Sequence, residues 1–397
     1  MPQYQQRRRP TYGRANYPRA NRSASRAPKK EYINPAKFIQ PAKPIDETPY
    51  VPTHMFADFD LHPGIHRNLE AMGYTAPSPI QDQTIPSGLA GKDVVGIANT
   101  GTGKTAAFAI PLLNRLIADP GSTALIMAPT RELAQQIEEQ CRLIAKGSGL
   151  RGAILIGGVS MGPQQQDLRN KPRIIIGTPG RIKDHSERRT LNLAQCNIIV
   201  LDEVDRMLDM GFVNDIRHIL SLTNPEKQSY YFSATLDARV RSIIETFSAD
   251  PVHVAVKTAD TSENVDQNVV VYKSRHEKLD ILHALLAKDH VVKTLVFDDT
   301  HHSVEQLSKE LAARGFQADA IHGGKSQSQR QRALKRFKDN HISVLVATDV
   351  AARGIDVSDI THVINYSLPQ SYSDYAHRIG RAGRAGRQGH ALTFIEG

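Results

Sequence analysis

DVVGIANTGTGKT, residues 93–105, is the stretch on which the fold turns. Its first half is a short apolar run that reads as a buried strand. Its second half is a loop with glycines at 101 and 103, and a helix-forming stretch follows. Gly101 and Gly103 allow a tight turn that brings backbone N–H groups close to phosphate oxygens. Lys104 reaches terminal phosphates, and the Thr105 hydroxyl is placed to bind Mg²⁺. The helix after the loop adds its N-terminal dipole. Strand, loop and helix in that order predict a phosphate cradle made by Ala98, Asn99, Thr100, Gly101, Thr102, Gly103, Lys104 and Thr105.

Working outward, similar runs recur: TALIMAP (123–129), GAILIGG (152–158), RIIIGTP (173–179), NIIVLDE (197–203) and SYYFSAT (229–235). Near-continuous apolar runs of this length suit strands covered on both faces, as in parallel sheets. Helical periodicity lies between them. In RELAQQIEEQCRLI, Leu133, Ile137, Cys141 and Ile144 share one face. This alternation predicts a doubly wound α/β domain. Residues 248–266 are polar and rich in turn formers, and read as a break. The pattern then resumes with VVVY (269–272), TLVFDDT (294–300), QADAIHGG (317–324), SVLVATD (343–349), THVINY (361–366) and HALTFIE (390–396). Amphipathic stretches intervene, among them Leu279, Leu282, Leu285 and Leu286. The expected architecture is therefore two tandem α/β domains with parallel sheets, over 83–256 and 267–397, with 54–82 leading into the first.

The charge is unevenly placed. Residues 1–45 hold eleven Lys and Arg against one acid, Glu31, a charge of +10 in a chain whose total is +9. The body is thus close to neutral, and a polyanion would meet it along a local stripe. The 1–45 segment has few large apolar residues and is predicted to be disordered, offering a salt-sensitive contact to a polyanion. No apolar run approaches membrane-spanning length, and the first residues lack the apolar stretch of a secretory signal. Cys141 and Cys196 suit buried thiols in a reducing cytoplasm, and their spacing offers no metal framework.

Two further segments bear on chemistry. DEVD (202–205) follows the run IIVL, so its acids fall at the carboxyl end of a buried strand. There Asp202 can hold hydrated Mg²⁺ and Glu203 can orient and deprotonate an attacking water. HRIGRAGR (377–384) offers His377, Arg378, Arg381 and Arg384, which can grip a phosphate only from a second surface. One nucleotide held between two such surfaces implies a machine that opens and closes.

The order of segments over residues 54–397 resembles that of the DEAD-box ATP-dependent RNA helicases. GYTAPSPIQ (73–81), with Phe56 upstream, is similar to the family's adenine-reading Q motif. PTRELAQQ (129–136), GG (157–158) and TPGR (178–181) look like its RNA-backbone contacts, and SAT (233–235) like the segment coupling ATP to strand separation. LVFDDT (295–300), HGGKSQSQR (322–330), ATDVAARGID (347–356) and HRIGRAGR match the second-domain set.

The resemblance implies two RecA-like domains that use ATP and Mg²⁺ and clamp RNA with little sequence preference, unwinding short duplexes. It also implies roles. Gln81 would read adenine and Phe56 would stack on it or close its pocket, and Asp356 would reach the ribose. Arg381 and Arg384 would stabilise charge on the transferring phosphoryl group. Thr130, Arg131, Gly158, Thr178 and Arg181 would contact RNA, with Gln327, Arg330 and Thr348 opposite. Asp205, Ser233, Thr235 and His377 would couple the domains. A cytoplasmic monomer is expected, with no membrane attachment. A DNA translocase or a non-processive RNA clamp remain alternatives on the same architecture. The chain departs from the family pattern at Val204, where the family has Ala, and the Val204 side chain is expected to face the packing side. Other departures are Ala98 for Gly, Ser78 for Thr and Ala382 for Thr.

Overall fold

The computed structural model describes residues 32–42, 50–99, 101–256, 264–352, 357, 359–383 and 387–397. Thr100, Asp356 and Arg384 lie outside these, as do residues 1–31 of the basic segment. The first sheet contains β1 (Val94–Ile97), β2 (Ala124–Met127), β3 (Gly152–Leu155), β4 (Ile174–Gly177), β5 (Ile198–Leu201), β6 (Gln228–Ser233) and β7 (Val252–Ala255). Its order is β3-β4-β2-β5-β6-β1-β7, every pair parallel. The second contains β8 (Val265–Tyr272), β9 (Thr294–Phe297), β10 (Ala318–Ile321), β11 (Val344–Ala347), β12 (His362–Asn365) and β13 (Gly389–Glu396). Its order is β10-β11-β9-β12-β13-β8, again all parallel.

The central strands of both sheets are buried on both faces, which is why they read as continuous apolar runs. Along β5, Ile198 and Val200 join one core cluster while Ile199 and Leu201 join the other. In the second sheet, Leu295 and Phe297 of β9 face one cluster and Val296 the opposite one. The helix Arg131–Ile144 buries Leu133, Ile137, Cys141 and Ile144 as its periodicity predicts, and Thr130 Oγ1 caps it by accepting from the Leu133 N–H (3.2 Å). Burial pushes both thiols, Cys141 and Cys196, up to about 12.

Two expectations need correction. The break at 248–266 contains a strand, β7, which adds to the β1 edge. Only Val254 of its four residues is buried, so VHVA lacks the run of a central strand. The second correction concerns the segment expected to be disordered over 1–45. Residues Pro35–Phe38 form a 3₁₀ turn, and Phe38 is 1% exposed in the core of the second domain. Gln40 then exchanges both backbone hydrogen bonds with Gln267 of β8 (3.0 and 2.8 Å).

Candidate active site

Every described first-domain site residue read from the motifs after β1 to β6 sits at the carboxyl end of its strand, where an open parallel sheet presents a crevice. β1 ends at Ile97, and the loop after it leads into the helix Lys104–Ala118. Gly101 and Gly103 have φ of +83° and +90°, which glycine adopts without the clash a Cβ brings. The helix Pro79–Leu89 braces this loop. Gln81 Nε2 donates to the Gly103 carbonyl (3.1 Å), and its Oε1 accepts from the Ser78 N–H (2.9 Å). Ser78 Oγ donates to the Thr102 carbonyl (2.7 Å). A Cβ at 103 would collide with the Gln81 amide. Lys104, buried, donates from Nζ to the Ala98 carbonyl (2.8 Å), so its ammonium lies folded over the loop. Phe56 packs in the first-domain core, its ring edge-on to Tyr74 and Phe59.

The acids follow β5. Strand β6 runs between β1 and β5, so the SAT segment stands between the phosphate loop and the acids. At a strand spacing of about 4.8 Å the outer two are about 10 Å apart. Asp202 is buried, and desolvation pushes its carboxyl up to about 7 while the Lys104 ammonium pulls it the other way. Glu203 has a left-handed backbone, φ +52°, an uncommon conformation for a residue with a side chain. Its N–H donates to Asp202 Oδ1 (3.0 Å), and its own Oε2 is buried with no hydrogen-bond partner. An orphaned carboxylate oxygen beside a second carboxylate and a lysine suits a hydrated divalent cation and a water. Val204 is fully buried among the apolar residues of its sheet face, the packing side expected of it. Asp205 ties the acids to the SAT segment: its Oδ2 accepts from the Thr235 N–H (3.1 Å) and Oγ1 (3.2 Å), and its N–H donates to Ser233 Oγ (3.3 Å).

The second domain brings its arginines to the same cleft on the helix Tyr372–Ile379 and the turn after it. His377 and Arg381 line a small cavity together with Arg206 of the first domain. Arg378 lines the same cavity but is held from within its own domain. Its guanidinium makes a bidentate pair with Asp349 (2.5 and 2.7 Å), donates to the Ser367 carbonyl (2.7 Å) and lies over the Phe297 ring at 5.0 Å. Arg378 of HRIGRAGR is therefore committed to bracing the second domain.

A larger cavity of about 410 Å³ is lined by Thr130, Arg131, Thr178 and Arg181 of the first domain and Arg330 and Gly323 of the second. Gly158, at φ +71°, lies directly beneath the Arg131 guanidinium, where a Cβ would collide with it. Burial, with the Arg330 guanidinium nearby, holds Arg131 below the usual arginine range. Arg181 Nη1 donates to the Val159 carbonyl (3.1 Å), and Thr178 starts the helix Pro179–Glu187 without using its hydroxyl as a cap. Gln327 and Arg330 are buried and cross the domain boundary: Arg330 pairs with Glu132 (2.8 Å), and Gln327 Nε2 donates to Gln135 (3.1 Å) and Glu132 (3.3 Å). Thr348, also buried, follows directly on β11.

Residues 78–243 match the DEAD/DEAH box helicase family and residues 277–386 the helicase conserved C-terminal domain. The DEAD-box ATP-dependent RNA helicase CshA of Bacillus licheniformis is 45% identical over 344 residues, 86% of this chain and 71% of that protein. Its Bacillus subtilis counterpart is 45% identical over 86% of this chain and 70% of its own length. The chain belongs to the DEAD-box ATP-dependent RNA helicases. Among solved structures, S. cerevisiae Dbp5 bound to RNA and ADP BeF3 aligns with a TM-score of 0.75 at 29% identity, covering 86% of this chain and 89% of that one. A DEAD box protein of Methanococcus jannaschii, 39% identical, scores 0.51 over 86% of this chain and 93% of its own. The helicase thus has two RecA-like domains. Its whole-chain shape is more like the RNA- and nucleotide-bound relative than like the relative closer to it in sequence.

Three residues of the helicase escaped the sequence reading. Asp82, next to Gln81, accepts from Tyr50 Oη (2.5 Å), the Thr53 N–H (2.7 Å) and the His54 N–H (3.1 Å). Burial opposes its ionisation, yet these hydrogen bonds hold it below the usual carboxylate range. Glu132, within PTRELAQQ, anchors both Gln327 and Arg330 from across the cleft. Asp349, within ATDVAARGID, holds Arg378. The last two lie inside recognised segments, so position pointed at them even though their partners did not.

Proposed function

We propose that the helicase binds ATP on the first domain, completes the site with the second, and clamps RNA by the same motion. The observation that carries this reading is that two cavities, one beside the arginines and one beside Arg131, are each lined from both domains. Gln81 with Phe56, the 98–105 loop and Asp356 would hold the nucleotide, Lys104 neutralising terminal phosphate charge. Glu203, whose free carboxylate oxygen is already desolvated, takes the proton from the attacking water. Arg381 and Arg384 arrive only on closure and stabilise the charge that develops on the transferring group. Mg²⁺, held by Thr105 and Asp202 largely through water, would supply further charge neutralisation at the phosphates. Asp205, Ser233, Thr235 and His377 pass the state of this site to the domain interface.

RNA would lie in the 410 Å³ groove lined by Thr130, Arg131, Thr178, Arg181 and Arg330, contacted through phosphates and sugars by these residues and by Gly158, Gln327 and Thr348. Such contacts carry little sequence information, so substrates are expected to be diverse. Because both ligands favour closure, each raises the affinity for the other. Closure would bend one strand and strip it from a short duplex, and hydrolysis would release it. No helix among the described residues is long and apolar enough to cross a membrane. We read the chain as a cytoplasmic monomer. The test is Glu203→Gln. RNA-stimulated ATP hydrolysis should fall at least about a hundredfold, the scale for losing a general base, while ATP and RNA still bind. Unchanged turnover would refute the assignment.

A further inference from the structure

The segment ahead of the first domain in sequence completes the core of the second. Phe38 fills a site there beside Tyr375, ring centroids 4.7 Å apart, and Lys37 Nζ lies over the Tyr372 ring at 5.4 Å. Ile33 packs against the same core cluster. Gln40 extends the sheet at its β8 edge through Gln267, and Gln267 accepts from Tyr375 Oη (2.9 Å) through its own side chain. Tyr375, fully buried, is thus held on one side by Phe38 and on the other by the residue to which Gln40 is bonded.

Tyr375 belongs to the helix Tyr372–Ile379. At 100° per residue, Tyr375 and Ile379 share the inner face, while His377, and Arg381 just past the helix end, fall on the opposite side. That outer side is the one lining the cavity with Arg206 of the first domain. The strap therefore presses on the back of the element whose front carries the arginine. Eight residues further along, the same chain is pinned again: Tyr50, Thr53 and His54 all bond Asp82, the neighbour of the Gln81 that braces the phosphate loop. From Ala42 to Tyr50 the chain can reach at most about 26–29 Å. One continuous segment thus links the back of the arginine helix to the back of the phosphate loop.

We propose that residues 32–42 are a positioning element of the ATPase: by docking Phe38 and Gln40 on the second domain they set the orientation of the helix that presents His377 and Arg381. This rests on the role given above to Arg381. Misplacing a reacting group by about 1 Å costs up to about a hundredfold, so a loose strap should be visible in turnover.

The experiment compares the full chain with Phe38→Ala, Phe38→Leu, Gln40→Pro and a deletion of residues 1–31. Arg381→Ala serves as reference. RNA-saturated ATP hydrolysis is measured, and the fraction of folded second domain is followed by thermal unfolding at the assay temperature. Phe38→Ala and Gln40→Pro should lower kcat at least about fivefold with KM for ATP within about twofold, because ATP docks first on the other domain. Phe38→Leu should recover most of the loss, and deletion of 1–31 should have little effect on saturated turnover. Gln40→Pro removes one ladder donor and leaves the core side chain in place, so it remains informative if Phe38→Ala does not fold. Folded strap variants that keep kcat, or that lose it only in proportion to unfolded second domain, overturn the proposal. If Arg381→Ala abolishes turnover while the strap variants do not, only the strap fails. If Arg381→Ala is itself silent, the reading of the active site fails first.

Discussion

Arg378 and Arg381 are three residues apart and line the same small cavity, and Arg378 is held there from within the second domain. Asp349 takes the Arg378 guanidinium in a bidentate pair where Arg378 is only 2% exposed. Asp349→Ala would leave that charge buried and unpaired, at a cost of about 3–5 kcal/mol. A clear fall in the melting temperature of the second domain is the expected result, and an unchanged melt would mean the pair contributes nothing. Glu203 shows what a string of letters hides. Its place after IIVL pointed to a base, but neither its left-handed backbone nor its orphaned oxygen has any signature in residue type. Gln81 is similar. Its amide was read for adenine, while in the fold it also supports Gly103, so Gln81→Ala should weaken ATP binding and loosen the loop together. Nucleotide titration alongside hydrogen exchange of residues 101–105 would separate the two effects.

At the scale of elements, the twelve apolar runs read from the sequence each contain or overlap a strand, and the central strands owe their unbroken apolar record to burial on both faces. β7 broke that rule. An edge strand with one wet face alternates, and VHVA within turn formers looks like linker. The ends of the strands hold another feature without a sequence signal. His362 at the start of β12 stacks on His390 of β13 (4.8 Å), and His290 lies 5.6 Å from His362. Burial first, then His390, His290 and Lys288, push His362 down to about 4. Its folded pKa lies below the ordinary value near 6.5, so the stability it contributes is present above pH 6.5 and is lost as pH falls through 4. The full loss would be up to about 3 kcal/mol, the equivalent of that displacement. Urea midpoints for the second domain should drop between pH 7 and pH 4.5, and His362→Gln should flatten the slope.

For the whole molecule, the contact that joins the domains is as informative as the cavities between them. Glu132 in the first domain holds Arg330 and Gln327 of the second, all three buried. Glu132 accepts a hydrogen bond from Gln327 Nε2 (3.3 Å) and forms an ion pair with Arg330 (2.8 Å), and a hydrogen bond to a charged group contributes about 1.5–3 kcal/mol. Glu132→Ala should therefore raise the RNA concentration for half-maximal ATPase about tenfold or more, read directly from an RNA titration. Equal half-saturation in the two proteins would mean the pair does not support closure. Such pairings join residues almost two hundred positions apart, and no local pattern announces them.

Phe38 has a consequence for how the molecule is made. The second sheet finishes only when β13 is built, near the last residue, yet one of its core side chains belongs to the first tenth of the chain. During synthesis, the first domain can close its own core early. The early aromatic must then wait, exposed, while more than two hundred further residues emerge before its socket exists. A fragment beginning at residue 264 would carry that socket without its plug, and should aggregate more readily than the same fragment supplied with residues 32–42.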